Sequence, residues 1–232
     1  MIYKYLDASR YQGKIDWDAV KRSGKIDGAI LKTVSTNKSF GGVYIDPQFE
    51  RNYSECTRLG IPVGAYYYTY AQNEAARAVE LVKVRQALTG KTFQLPVAVD
   101  VEDNKLKPIP AKELSALVAG AAKQIEDWGL YAMVYTYTSY ANTELDMDAL
   151  KAFDLWIADY RTRRPTRKHG IWQYTSKGTV PGITGDVDLN HAYMLSLEPD
   201  RLLSWFRREA GLTPKAQPYP AIIQRAGLSS IR

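Results

Sequence analysis

From its first residues to about residue 197 the chain alternates short apolar runs with amphipathic segments, and this alternation restricts the available folds more than any other feature. "YKYLDAS", "DGAILKTV", "IPVGAYYYTY", "QLPVAVDVE", "YAMVYTY" and "DLWIADY" read as strands. Between them, "DWDAVKRSG", "DPQFERNYSECTRLG", "NEAARAVELVKVRQALTG", "PAKELSALVAGAAKQIEDWG" and the brief "DMDALKAF" carry helical spacing, with Pro47 in a first turn and Gly24, Gly60 and Gly90 as stops. The helices then fade: "GIWQYTS" and "GDVDLNHAY" read as strands joined by the turn "KGTVPGITG". Strand–helix repetition with buried parallel strands means an open doubly wound sheet or a β/α barrel. The first strand is followed by "DASRYQG", which has neither G-x-G-x-x-G nor a P-loop. A barrel is favoured, although periodicity alone leaves the open sheet standing.

The 232 residues, 45% of them hydrophobic, suffice for one large α/β domain with a tail. The boundaries read as 1–197 for the main domain and 198–212 for a C-terminal helix, "EPDRLLSWFRREAGL". Residues 213–232 have the proline-containing composition of a linker, or of the start of a second module. Cys56 is the lone cysteine and there are two histidines, so the usual zinc ligands are too few; no metal or organic cofactor is implied. No apolar run is long enough for a transmembrane helix, and "MIYKYLDASR" lacks the apolar region and cleavage site of a signal peptide. The chain is expected to be a monomer that does not insert into membranes.

The net charge of +6 favours anionic partners, among them nucleic acid, a membrane surface and an acidic cell wall. "RTRRPTRK" is the main basic cluster and reads as a solvated loop, a weak nucleic-acid signal. The 17 tyrosines and 5 tryptophans against 5 phenylalanines suggest a groove lined by amphipathic rings, suited to stacking sugars or bases.

The strand "LPVAVDVED" ends in acids. Residues two apart on a strand share a face, which puts Asp100 and Glu102 together with Cα atoms roughly 6.6 Å apart. At the C-terminal end of a barrel strand, two such carboxylates split their proton affinities, one staying ionised and the other serving as an acid, as glycoside hydrolysis requires. Helix capping, solvation or a Ca²⁺ or Mg²⁺ site is the competing account of the pair alone, and Asp103 reads as a loop or capping residue. Asp7 in "YLDAS" and Asp186 and Asp188 in "GDVDLN" end other strands, and in a closed barrel these acids converge. Tyr66, Tyr68, Tyr70, Tyr135, Trp156, Tyr160, Trp172 and Tyr174 lie at comparable places and, as a set, suggest a carbohydrate cleft.

These blocks resemble the glycoside hydrolase family 25 lysozymes, the Chalaropsis-type muramidases. "DASRYQGKIDWDAV" is similar to the family's D-V-S-x-x-Q-G-x-I-D-W opening, "YIDPQFERNYSECTRLGIPVGAYYYTY" to its D-P-x-F block, and "VAVDVED" to its D-x-E strand. "LWIADY", "IWQYTS" and "GDVDLN" match the closing blocks, so that the resemblance covers residues 2 to 195. It implies an α/β fold, an eight-stranded TIM-like (β/α) barrel with helices beside only its first five strands. It also implies cleavage of the β-1,4 bond between N-acetylmuramic acid and N-acetylglucosamine in bacterial peptidoglycan. By motif position, Glu102 is the general acid, Asp100 orients the substrate's 2-acetamido group as internal nucleophile, and Asp7 and Asp188 complete the carboxylate ring. Tyr66 and Tyr68 fall on the cleft wall, with Tyr135, Trp156 and Gln173 as further sugar contacts. The chain departs from the family where "KTVSTN" replaces K-A-[ST]-[EQ]-G and where Tyr67 replaces a histidine.

The leading expectation is therefore a muramidase of endolysin type. It would be made in the cytoplasm and reach the wall after holin-type release, or act extracellularly, with its charge drawing it to anionic wall polymers. Both substrate-assisted retention and inversion fit a D-x-E pair. A silent wall- or chitin-binding module on the same fold predicts loss of one of the two acids, and both are present. Nucleic-acid binding rests on charge and aromatics alone and is not expected.

Overall fold

A computed structural model describes residues 2–161 and 163–193. The expected helix over 198–212, the segment 213–232 and residues 194–197 of the main domain lie outside the described residues.

In chain order the elements are β1 (Ile2–Ala8), α1 (Trp17–Ser23), β2 (Gly28–Asn37), β3 (Gly42–Ile45), α2 (Phe49–Arg58), β4 (Val63–Tyr68) and α3 (Glu74–Leu88). They continue with β5 (Val97–Asp100), α4 (Ala111–Asp127), β6 (Ala132–Tyr137), α5 (Thr138–Thr143), β7 (Asp154–Ala158), β8 (Ile171–Gly178) and β9 (Val187–Tyr193). The strands hydrogen-bond in the order β1-β9-β8-β7-β6-β5-β4-β2-β3, and β1 also pairs with β2, which closes an eight-stranded barrel with β3 outside the ring. Among the described residues helices follow only the first five barrel strands, as expected.

The interior is filled by Tyr3, Tyr5, Ile30, Ala98, Met133 and Ile171, while Leu6, Leu31, Val63, Val97, Val99 and Val134 face outward beneath the helices. Burial of both faces explains why β2, β4, β5 and β6 lack polar–apolar alternation. The helices bring matching apolar stripes: Val84 and Leu88 from α3, and Leu114, Val118 and Ile125 from α4. Local signals set their ends. The Asp16 side chain accepts from Ala19 N at 2.9 Å to start α1, the Asn73 side chain accepts from Ala76 N at 3.0 Å to start α3, and Gly60 at φ 62° follows α2.

The structure fixes the direction of the last strand, which the sequence reading left open, and differs from that reading in three places. β9 runs antiparallel to β8 and β1, because the connection at "KGTVPGITG" is a turn with no crossover helix, and a parallel strand needs one. "KTVSTN" prolongs β2, and β3 folds back on it as an antiparallel hairpin. "DMDALKAF" is a series of turns in which the Asp146 carboxylate accepts from Asp148 N and Ala149 N; the helix lies earlier, at α5. Pro47 precedes α2, whose N-cap is Gln48. No described helix is long and apolar enough to cross a membrane.

Candidate active site

The C-terminal end of the barrel holds a cavity of about 420 Å³. All nine residues expected at the site line it: Asp7, Tyr66, Tyr68, Asp100, Glu102, Tyr135, Trp156, Gln173 and Asp188. Asp7, Tyr66, Tyr68, Asp100 and Tyr135 stand in the C-terminal halves of their strands and Glu102 just past β5; Trp156 is at the middle of β7, Gln173 is the third residue of β8, and Asp188 enters from the start of the antiparallel β9.

Two carboxylates come from β5 and the residues just after it. Val101 N donates to Tyr135 O at 3.0 Å, so the ladder with β6 continues past Asp100 and Glu102 keeps the face that Asp100 uses. Asp100 is buried, and its Oδ1 is shielded with no hydrogen-bond partner in the protein. Burial pushes its proton affinity well above the usual carboxylate range; the Glu102 charge adds to this and Lys32 opposes it. Burial likewise pushes the Glu102 carboxyl up to about 7, with Lys32 pulling down and Asp188 and Asp103 pushing up. Asp103 itself caps the short helical turn after the strand, accepting from Lys105 N at 2.8 Å, and also takes the Tyr68 hydroxyl at 3.1 Å.

The other two carboxylates meet across the β1–β9 seam, where Asp7 and Asp188 are register partners. Asp7 Oδ2 accepts from Gln173 Nε2 and from Asn190 Nδ2, each at 2.9 Å. Those amides are aimed by further donors: Tyr135 and Tyr160 hydroxyls to Gln173 Oε1 at 3.0 and 2.7 Å, and Trp156 Nε1 to Asn190 Oδ1 at 2.7 Å. Burial raises the Asp7 proton affinity while these donors lower it. Asp188 is pushed up to about 8, first by burial and then by the Asp7 charge and a hydrogen bond to Asp7. Burial thus raises both members of the pair, and the hydrogen bond between them favours the proton on Asp188 over Asp7.

The network also defines what the aromatic residues do. Gln173 uses both ends of its amide within the protein, as the donor that holds Asp7. Trp156 is 1% exposed and forms the floor, with Tyr66 edge-on to it at 5.9 Å between ring centroids. The Tyr66 phenol is pushed well above its ordinary value by burial and by the Asp7 and Asp100 charges, so it remains a hydrogen-bond donor.

Lys32 and Asn190 belong to the site and were not singled out from sequence. Lys32 Nζ sits 4.8 Å from the Tyr68 ring centroid and 5.7 Å from that of Tyr66. A lone lysine within the apolar "GAILKTV" was its signal. Asn190, two residues after Asp188 on one strand face, was signalled by the spacing "DLN". A second cavity of about 520 Å³, lined by Tyr137, Asn142, Tyr160 and Arg161, shares Glu102 and Tyr135 with the first. Among the described residues no group of three or more His, Cys, Asp or Glu side chains could hold a metal ion.

A barrel whose C-terminal end carries a carboxyl poised near neutrality beside a second acid, in an aromatic-walled cleft, has the form of a glycoside hydrolase site. The chain belongs to the glycosyl hydrolases family 25: the family model matches residues 6–183. It is 29% identical over 189 residues to the autolytic lysozyme of Clostridium acetobutylicum, covering 81% of this chain and 55% of that protein. The chain thus spans about half the length of that relative. Among solved structures it is similar to the modular autolysin LytC of Streptococcus pneumoniae, with 28% identity and a TM-score of 0.72 over 83% of this chain and 47% of that one. LytC has also been solved with a synthetic peptidoglycan ligand. The catalytic domain of endolysin ply40, from a bacteriophage of Listeria monocytogenes, shares the fold at 21% identity, with a TM-score of 0.70 over 85% of this chain and 96% of that domain.

Proposed function

We propose that this protein is a peptidoglycan muramidase that cleaves the β-1,4 bond from N-acetylmuramic acid to N-acetylglucosamine within the glycan strand. The observation that carries the reading is the place of Glu102, a shielded carboxyl pushed up to about 7, where two cavities meet. A polysaccharide crossing from one cavity to the other brings an internal glycosidic oxygen to that carboxyl. Family membership and the peptidoglycan complex of LytC support the substrate class.

In this reading protonated Glu102 gives its proton to the leaving oxygen as the bond to the anomeric carbon breaks. The carbonyl oxygen of the substrate's 2-acetamido group attacks that carbon from the opposite face and forms a cyclic oxazolinium. Asp100 accepts the acetamido N–H through its unpartnered Oδ1, which aligns the nucleophile and balances the positive charge. Water, deprotonated by the Glu102 carboxylate, then opens the ring with net retention. Asp7, whose carboxylate form is favoured by two amides against the effect of burial, stands at the far wall, and its charge raises the proton affinity of Asp100. The net charge of +6 aids approach to an anionic wall, which an enzyme of endolysin type would meet after release across the membrane.

The test is clearance of purified Gram-positive walls by the wild type beside Glu102→Gln, with reducing-end analysis of the soluble products. New muramic acid ends that vanish in the variant are the expected result. Glucosamine ends mean a different bond is cut, and walls that are bound but never cleared mean the carboxylates form a binding site.

A further inference from the structure

The β2–β3 hairpin, where the sequence departs from its family, reaches the same cavity as the carboxylates. Arg10, Tyr11 and Tyr44 line that cavity along with Asp100 and Glu102, and none of the three lines the second cavity, so they lie on the side of Glu102 away from it. They form a layered stack across the mouth. The Arg10 guanidinium carbon lies 4.5 Å from the Tyr11 ring centroid and 5.2 Å from that of Phe40. Phe40 in turn stacks on Tyr44 at 4.2 Å with an interplanar angle of 12°. Arg10 Nη2 donates to the Tyr11 hydroxyl at 3.2 Å, and Arg10 N donates to Asp46 Oδ2 at 3.0 Å, which ties the stack to the base of the hairpin.

A stack that served only to hold the hairpin would bury its outer ring, yet Tyr11 is 74% exposed and Phe40 43%. The Arg10 side chain is committed to the stack, where it also hydrogen-bonds to Tyr44, and its Nε is shielded from solvent. An open aromatic face, continuous with an acidic cleft, suits a pyranose ring, whose apolar face stacks on the phenol ring. We infer that Tyr11, supported by Arg10, Phe40 and Tyr44, is a distal saccharide subsite. It grips an N-acetylated sugar of the same glycan strand, remote from the scissile bond. This rests on the proposed function and extends it: the enzyme prefers long strands because a remote sugar adds binding.

The experiment compares tetrasaccharide and octasaccharide fragments of alternating N-acetylglucosamine and N-acetylmuramic acid. kcat/KM is measured for the wild type, Tyr11→Ala and Phe40→Ala, and Kd is measured for the same oligosaccharides in a Glu102→Gln background with and without Tyr11→Ala. The expected result is a wild-type preference for the octasaccharide that falls about fivefold to tenfold in Tyr11→Ala, and less in Phe40→Ala. The affinity advantage of the longer ligand shrinks in parallel. A length preference unchanged by Tyr11→Ala, in either rate or affinity, overturns the subsite. Should the wild type cleave neither oligosaccharide, the muramidase reading fails, and the Kd comparison alone decides the subsite.

Discussion

Two pairs of acids face one cavity, and the protein treats them in opposite ways. At the end of β5, burial outruns the partners supplied: Asp100 keeps a shielded oxygen with nothing bonded to it, and Glu102 rises to about 7 against the pull of Lys32. At the β1–β9 seam burial is opposed, with two aimed amides on Asp7 and a hydrogen bond between Asp7 and Asp188. A buried polar atom without a partner costs free energy, on the order of 1–3 kcal/mol. The seam is built to hold its carboxyls in place, and the β5 end is left incomplete for a ligand to finish.

That contrast can be broken from either side. The largest effect is expected at Glu102: Glu102→Gln keeps the shape, removes the proton donor and lowers kcat on soluble glycan by about 10³-fold with little change in KM. A fall in affinity instead of rate would make Glu102 a binding group. At the seam, Asn190→Leu or Gln173→Leu removes one charge-assisted donor to Asp7, and kcat/KM is expected to fall by about 10- to 100-fold. With fewer donors the Asp7 proton affinity rises, so the acidic limb of the pH–rate profile moves upward. An unmoved limb would mean that the Asp7 charge is irrelevant to turnover.

The pH profile sharpens the comparison further. A general acid works while protonated, so activity is expected to fall as pH rises through about 7, the value for Glu102. Lys32 lowers that value, so Lys32→Met shifts the alkaline limb upward. The smallest effect is on stability. Glu102 binds its proton more tightly in the folded state than its ordinary 4.5, so the contribution is complete below about 4.5 and is lost as pH rises to about 7. Above that window the buried charge is a cost, and Glu102→Gln is expected to raise Tm at pH 8 by about 3–6 °C, read by calorimetry.

The β5 end was the more legible in sequence, because its acids interrupt an apolar strand at a spacing that fixes their common face. Asp7 and Asp188 were legible as strand-end acids, but their pairing required knowing that β9 returns antiparallel beside β1, a contact between chain ends. Gln173 was visible as a polar residue in "IWQYTS", yet its duty depends on two tyrosine hydroxyls from other strands. Outside the site, α5 escaped notice because "TSYANT" has no apolar period and is held by burial of Tyr140 and Ala141. "DMDALKAF" shows the converse: helical spacing at Met147, Leu150 and Phe153 is overruled by the Asp146 turn.

The central claim is that burial raises the proton affinity of Glu102 until it titrates at about 7, beside an Asp100 with an open oxygen. Carbon-detected NMR of the Glu102 side-chain carboxyl across a pH titration, on protein free of substrate, tests it most directly. The account predicts a midpoint near about 7 that moves upward in Lys32→Met. A midpoint at the ordinary glutamate value, unmoved by that substitution, would contradict it.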